Sequence, residues 1–115
     1  MDIPTPIIEK QVIVDLLYGD EDYVSEFASA SIESFTEFKT KYSKSLKQRD
    51  METLRQAGHK IKPVAQMMKL DDVVTMYETS KIMLEEDASD QEIKKLAESM
   101  NKFCKQLIKE LKQLE

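Results

Sequence analysis

Hydrophobic residues recur along most of this chain at intervals of three, four or seven positions, the spacing of one face of an α-helix. Two stretches show it best, one in the first half of the chain and one at its end. The apolar positions of the first are Val24, Phe27, Ala28, Phe35, Phe38, Tyr42 and Leu46. Those of the second are Ile93, Leu96, Ala97, Met100, Phe103, Cys104, Leu107, Ile108, Leu111 and Leu114. No segment of comparable length alternates with period two, so the pattern predicts helices and no sheet.

Capping residues divide this pattern into five helices. The first is predicted to begin with Thr5 as its cap and Pro6 at its first position, and to end just before Gly19. The side chains expected to cap the four longer helices are those of Asp20, Asp50, Asp71 and Ser89. Their predicted spans are about 21–47, 51–69, 72–86 and from 90 onward. Ser89 opens a capping box, because Glu92 follows it by three residues.

The short linkers between these helices determine the expected architecture. Long helices joined by a few residues pack as antiparallel neighbours. We therefore expect an all-α fold, an up-down antiparallel four-helix bundle with a short extra N-terminal helix across one end. The chain of 115 residues is long enough to bury one hydrophobic core, so residues 1–115 are predicted to form a single domain.

Composition and charge exclude several classes of function. The formal net charge of −5 argues against nucleic acid as the main partner. Two isolated glycines cannot form a phosphate-cradling loop, and a single cysteine and a single histidine exclude a disulfide and most Cys/His metal sites. No apolar run approaches the ~20 residues that span a bilayer, and no signal peptide is visible. We expect a cytoplasmic protein without a membrane segment, and Cys104 as a small buried hydrophobic residue.

The only histidine, His59, is predicted to lie on the exposed side of the third helix. At about 100° per residue, the apolar residues of this helix fall on the opposite side. They are Leu54, Ala57, Ile61, Val64, Ala65 and Met68. The residues that fall within about 60° of His59 are Arg55, Lys62, Pro63 and Gln66. A single exposed histidine on a helix is more often an ordinary surface residue than a functional one, so this position alone does not indicate a function.

The charge around His59 makes the position more informative. Residues 53–70 contain four basic residues and no acidic one, which leaves −9 for the other 97 residues. A phosphoryl group carries about −1.5 to −2 charges at neutral pH, and such a basic segment can stabilise it. Lys62 lies three positions after His59, within reach of a group on the imidazole. Because a neutral imidazole is nucleophilic, His59 is a candidate phosphoacceptor.

The segment His59-Lys60-Ile61-Lys62-Pro63-Val64-Ala65 resembles the His-x-x-Lys-Gly-Ser-Ala signature of histidine-containing phosphotransfer (HPt) domains. The likeness extends from about residue 10 to residue 86, and includes the acidic segment at 20–22 and the aromatic residues Phe35 and Phe38. It implies a four-helix bundle with the histidine exposed midway along one helix. It also implies that His59 accepts the phosphoryl group and that Lys62 stabilises it. Gln66 falls on the same face of the helix as His59, which makes it a candidate to donate a hydrogen bond to the phosphoryl oxygens.

Two positions depart from the family pattern. Pro63 and Lys69 stand where the family usually has glycine. Proline removes a helical N–H and clashes with the carbonyl four residues earlier, which here belongs to His59. Pro63 therefore predicts a kink beside His59, or a helix that breaks at Lys62 and restarts at Pro63.

The resemblance implies a phosphoryl carrier rather than an enzyme. His59 would relay a phosphoryl group between receiver-domain aspartates in a two-component phosphorelay. The expected partners are a response-regulator receiver domain and a hybrid histidine kinase. The receiver would supply Mg²⁺, so we expect no cofactor or metal in this chain. We also expect the protein to be a monomer. The residues expected to contact the partner are Arg55, Gln56, Lys60, Pro63 and Met67.

The alternative is a helical protein–protein interaction module with an HPt-like fold that carries no phosphate. The same surface around His59 would then contact a partner, and the histidine would be incidental. A hydrolytic or metal enzyme is disfavoured because the sequence offers neither a base–nucleophile pair nor a ligand cluster.

Overall fold

The structure, a computed structural model, describes residues 7–115, and these form five α-helices and no strand. The helices are α1 (Lys10–Leu16), α2 (Glu21–Lys47), α3 (Met51–Met67), α4 (Asp71–Glu85) and α5 (Asp90–Lys112). The all-helical prediction is confirmed for this part of the chain. None of these helices combines the length and the apolarity needed to cross a bilayer.

Three of the predicted caps are confirmed. The side chain of Asp20 accepts hydrogen bonds from backbone N–H groups in the first turn of α2. The side chain of Asp50 accepts one from the backbone N–H of Thr53, and that of Ser89 accepts one from the backbone N–H of Glu92. The prediction that Asp71 caps α4 is wrong, because the buried Leu70 occupies the N-cap position of this helix. Asp71 is instead the first residue of the helix, where its charge faces the positive end of the helix dipole.

The first helix begins later than predicted. Thr5 and Pro6 lie outside the described residues, and the residues from Ile7 to Glu9 are not helical. The backbone N–H groups of Ile7 and Ile8 donate to the Glu110 carboxylate of α5, over 3.1 and 2.9 Å. A contact with the far end of the chain thus replaces the first helical turn that the local pattern predicts.

The four connections between helices share one backbone conformation. Each contains a residue with a positive φ of 54–57°, namely Tyr18, Arg49, Lys69 and Asp87. The next residue donates its N–H to the carbonyl five residues back, as Leu70 does to Ala65 over 2.8 Å, which is the Schellman motif. Gly19, with a φ of 73°, follows the end of α1 as predicted. Lys69 is one of the four residues with this left-handed backbone, a conformation that favours glycine.

One hydrophobic core joins the helices. α2 packs against α3 and α5, and α4 packs against the same two helices. The largest fully buried side chains include Tyr42, Phe35, Leu46, Leu54, Met100, Leu107 and Leu111. Cys104 is buried among them as predicted. The described chain is therefore a helical bundle, and α3 keeps one side on the core and the other in solvent.

Helix α3 is continuous from Met51 to Met67 with Pro63 inside it, so the break predicted at Lys62 is wrong. Pro63 is exposed, whereas Ile61 and Ala65 on either side are buried against the core. Packing of these neighbours holds the helix together across the proline. The backbone N–H that proline lacks would have bonded to the carbonyl of His59.

Candidate functional site

His59 lies at the middle of α3 with its side chain exposed, as the helical periodicity predicts. On the opposite side, Leu54, Ala57, Ile61, Ala65 and Met68 are buried and Val64 is half-buried. The imidazole is therefore held outward because the other face of α3 is fixed in the core.

Two grooves meet at His59. The α3–α4 groove is lined by Arg55, Gln56, His59 and Lys62 of α3 and by Tyr77, Glu78 and Lys81 of α4. The α2–α3 groove has His59, Gln56 and Lys60 on one side. On the other side are Lys41 and Lys44 of α2 and Gln48, the residue that follows this helix. His59 therefore stands on a ridge that can be approached from either groove.

Lys62, predicted to stabilise a phosphoryl group, forms an ion pair with a residue of α4. Its Nζ donates to Oε1 of Glu78 over 3.3 Å, and the other oxygen of Glu78 lies 3.0 Å from Nζ of Lys81. Hydrogen bonds from Lys81 and Lys62 hold the pKa of Glu78 below its usual value, and the same bond with Glu78 raises the pKa of Lys81. One carboxylate therefore links two lysines in the groove that His59 lines.

The other cations near His59 also have acidic neighbours. Lys60 pairs with Glu37 of α2 over 3.3 Å, and Glu37 also binds Lys41 over 2.8 Å. Hydrogen bonds from Lys41 and then Lys60 lower the pKa of Glu37. Arg55 approaches Glu85 of α4 to 3.9 Å. The basic segment is therefore partly balanced by carboxylates of the neighbouring helices, through exposed ion pairs that solvent screens.

Gly58, next to His59, is a point of close approach between α3 and α4. It is buried under the ring of Tyr77, and a β-carbon at this position would overlap Cζ of that ring. The hydroxyl of Tyr77 also donates to the carbonyl of Arg55 over 3.5 Å. Sequence reasoning did not identify this contact, although an isolated glycine inside a helical pattern indicates close packing.

The predicted contact residues Arg55, Gln56, Lys60, Pro63 and Met67 are all exposed. Lys62 is half-buried, and Gln66 is exposed and follows His59 by seven residues. Seven residues are about 10.5 Å along a helix axis. Gln66 is absent from the lining of both grooves.

Two α4 residues complete the site and were not predicted, Glu78 and Lys81. The sequence places them 19 and 22 positions after His59, and only the packing of α4 on α3 brings them to the same groove. Within residues 7–115, no group of three or more His, Cys, Asp or Glu side chains is arranged to hold a metal ion.

Comparisons with known proteins give no match to this chain. No protein-family model matches it, and neither a curated protein nor a solved structure does. An assignment of function therefore rests on the sequence around His59 and on the geometry of its surroundings.

Proposed function

We propose that this chain is a histidine phosphotransfer protein in which His59 carries a phosphoryl group between receiver-domain aspartates of a two-component phosphorelay. The observation that carries the proposal is the single imidazole exposed midway along α3, on a ridge between two grooves with cationic rims. Exposure matters because the ring must be reached by the active site of a donor and then by that of an acceptor.

The proposal includes the up-down arrangement of the four long helices. Arg55 of α3 pairs with Glu85 of α4, and Lys62 of α3 pairs with Glu78 of α4, so residue numbers increase along one helix as they decrease along the other. This order supports antiparallel neighbours, as HPt domains have. It also places the middle of α4 beside His59.

The chemistry needs only a neutral imidazole in this chain. A ring nitrogen attacks the phosphorus of an aspartyl phosphate, a P–N bond forms, and the P–O bond to the aspartate breaks to release its carboxylate. The product is a phosphoimidazolium whose P–N bond is labile. Attack by a second aspartate carboxylate reverses these steps and restores the neutral ring. The Mg²⁺ that assists the transfer would come from the receiver.

Lys62 would change partner during this cycle. The two side chains of its pair with Glu78 are 43% and 42% exposed, and pairs open to solvent to this extent contribute at most about 1 kcal/mol. A phosphoryl group on His59 carries up to about two negative charges and accepts stronger charge-assisted hydrogen bonds. The interaction of Lys62 with the phosphoryl group would therefore be stronger than its ion pair with Glu78.

A receiver would dock on the exposed residues around His59. Arg55 and Lys60 carry positive charge toward an acidic receiver pocket, and long-range attraction of this kind raises association rates. Met67, 47% exposed, offers an adaptable apolar contact.

The second candidate is an interaction module that carries no phosphate. The observation that favours it is the neutralisation of Lys60 and Lys62 by Glu37 and Glu78, because ion pairs can hold these side chains for a purely structural reason. In that case the surface around His59 would bind a partner through the same exposed side chains.

Transfer of a labelled phosphoryl group distinguishes the two candidates. The protein is incubated with ³²P-labelled phosphoramidate, which phosphorylates accessible imidazoles directly, and in parallel with receiver domains charged by labelled acetyl phosphate. We expect acid-labile, alkali-stable label on the wild type from both donors and none on His59→Gln. Glu52→Gln, an exposed change on the same helix outside both grooves, serves as the control for the fold and should take label from phosphoramidate.

Label that survives His59→Gln would falsify the assignment of His59. A wild type that takes label from phosphoramidate but neither gives it to nor receives it from any receiver would support the interaction module.

A further inference from the structure

Lys81 is a cation in the groove that His59 lines, and the sequence pattern around the histidine does not include it. It comes from α4, and its side chain is 25% exposed, compared with 43% for Lys62. Two contacts hold it in the α3–α4 groove. Its Nζ lies 3.0 Å from Oε2 of Glu78 and 4.8 Å from the centre of the Tyr77 ring. Tyr77 in turn is fixed against Gly58, the residue before His59.

Glu78 is an anion held between two lysines in the same groove. It binds Lys62 through one oxygen and Lys81 through the other. Of the side chains that line the groove, three are cations, Arg55, Lys62 and Lys81, and one is an anion. These lining side chains carry a net charge of +2, opposite in sign to the roughly −1.5 to −2 charges of one phosphoryl group, and Glu85, 3.9 Å from Arg55, offsets part of it.

We infer that Lys81 is a second binding cation for the phosphoryl group on His59, and that Glu78 is a positioning residue that holds both lysines until that group arrives. The inference rests on the proposed function and extends it to α4. On phosphorylation, Lys62 passes from Glu78 to the phosphoryl oxygens, while Lys81 is shared between Glu78 and the new anion. No further bond is made or broken in this rearrangement.

Removing Lys81 and removing the charge of Glu78 should then have opposite effects. Lys81→Gln lowers the charge of the groove by one, so it disfavours the doubly charged phosphoryl group and raises its pKa. Glu78→Gln increases the charge by one and releases both lysines, so it lowers the phosphoryl pKa. A purely structural role of the Glu78–Lys81 pair would give both variants the same effect, because each breaks the same pair.

The test uses the full chain phosphorylated with phosphoramidate, so no partner is required. The phosphoryl pKa is read from the ³¹P chemical shift as a function of pH, and the initial rate of phosphorylation is measured alongside. Lys81→Gln should raise the phosphoryl pKa and slow phosphorylation by about two- to fivefold, the change expected for an exposed charge pair. Glu78→Gln should lower the phosphoryl pKa and speed up phosphorylation.

Two further variants separate charge from fold. Lys95→Gln removes a lysine exposed on α5, outside the groove, and should leave both quantities at the wild-type values. Lys81→Arg keeps the charge and should restore them even where Lys81→Gln lowers thermal stability.

Equal phosphoryl pKa values in Lys81→Gln and Lys95→Gln would overturn the inference while leaving His59 as the phosphoacceptor. Shifts in the same direction for Lys81→Gln and Glu78→Gln would also overturn it. If wild-type His59 takes up no phosphoryl group at all, the proposed function fails and this inference fails with it.

Discussion

The ring of Tyr77 lies directly over the backbone of Gly58, at a distance that leaves no room for a β-carbon on that residue. The two residues bring α4 against α3 one position before His59. Because Tyr77 also carries Lys81 above its ring, this one contact fixes the position of a cation relative to the histidine. The packing of the core and the geometry of the candidate site are therefore linked through Gly58.

Gly58→Ala should destabilise the protein, although alanine is the better helix former by about 1 kcal/mol. The added β-carbon would meet ring atoms of Tyr77, which is 5% exposed and has little freedom to move. Overpacking of this kind costs about 1–3 kcal/mol. Urea denaturation should show a net loss of stability. In a Tyr77→Ala background, which lacks the ring, the same Gly58→Ala change should be neutral or stabilising. A loss of stability of equal size in both backgrounds would contradict the packing explanation.

Ser80→Ala should cost more than Tyr42→Phe, although the two hydroxyls share one buried hydrogen bond. Ser80 donates its only hydroxyl proton to the carbonyl of Met76 over 2.7 Å, so Tyr42 donates to Ser80. Ser80→Ala leaves the Tyr42 hydroxyl buried without a partner, at about 1–3 kcal/mol, whereas Tyr42→Phe loses one net hydrogen bond, at about 0.5–1.5 kcal/mol. Equilibrium unfolding of both variants tests the order, and the reverse order would show that Tyr42 is not the donor.

Pro63→Ala should stabilise the protein. Helix α3 is continuous through Pro63, and an alanine there would supply the N–H that bonds to the carbonyl of His59. A proline inside a helix costs about 3 kcal/mol relative to alanine, and its stiffening of the unfolded chain offsets up to about 1 kcal/mol of this. We expect a gain of about 1–3 kcal/mol in denaturant unfolding. Gln66→Ala, exposed on the same helix, is the control, and a Pro63→Ala gain no larger than the control would contradict the prediction.

Stability should fall as the pH rises above about 9. Burial raises the pKa of the Cys104 thiol from 9.0 to about 12 and that of the Tyr42 hydroxyl from 10.0 to about 12. Between these values the unfolded chain releases protons that the folded chain retains, so each group lowers the free energy of unfolding by up to about 1.4 kcal/mol per pH unit.

Thermal unfolding between pH 8 and pH 11 measures how steeply the free energy of unfolding falls with pH. Cys104→Ala should make this slope shallower from pH 9 upward, whatever the variant costs in stability at pH 8. An unchanged slope in that variant would mean that the thiol does not contribute.

The features that local chemistry determines could be predicted from the sequence. The caps at Asp20, Asp50 and Ser89 act within three residues of themselves, and the exposure of His59 follows from the periodicity of its own helix. The start of α1 could not be predicted, because Glu110 binds the backbone of Ile7 and Ile8 across about a hundred residues of chain.

The α4 half of the site was missed for the same reason. Nothing in the spacing of Glu78 or Lys81 relates them to His59, since the register between two packed helices is set by tertiary contacts such as Tyr77 on Gly58. The continuity of α3 through Pro63 is a further case, because buried neighbours outweigh the local preference of the proline.

The burial of Cys104 gives this protein an intrinsic reporter. It is the only cysteine in the chain, its exposed fraction is 0%, and its raised pKa keeps it as an unreactive thiol. An alkylating reagent can therefore modify the native protein only during moments when the core around α5 opens. The labelling rate of one natural sulfur atom would measure how often that opening occurs, with no introduced probe.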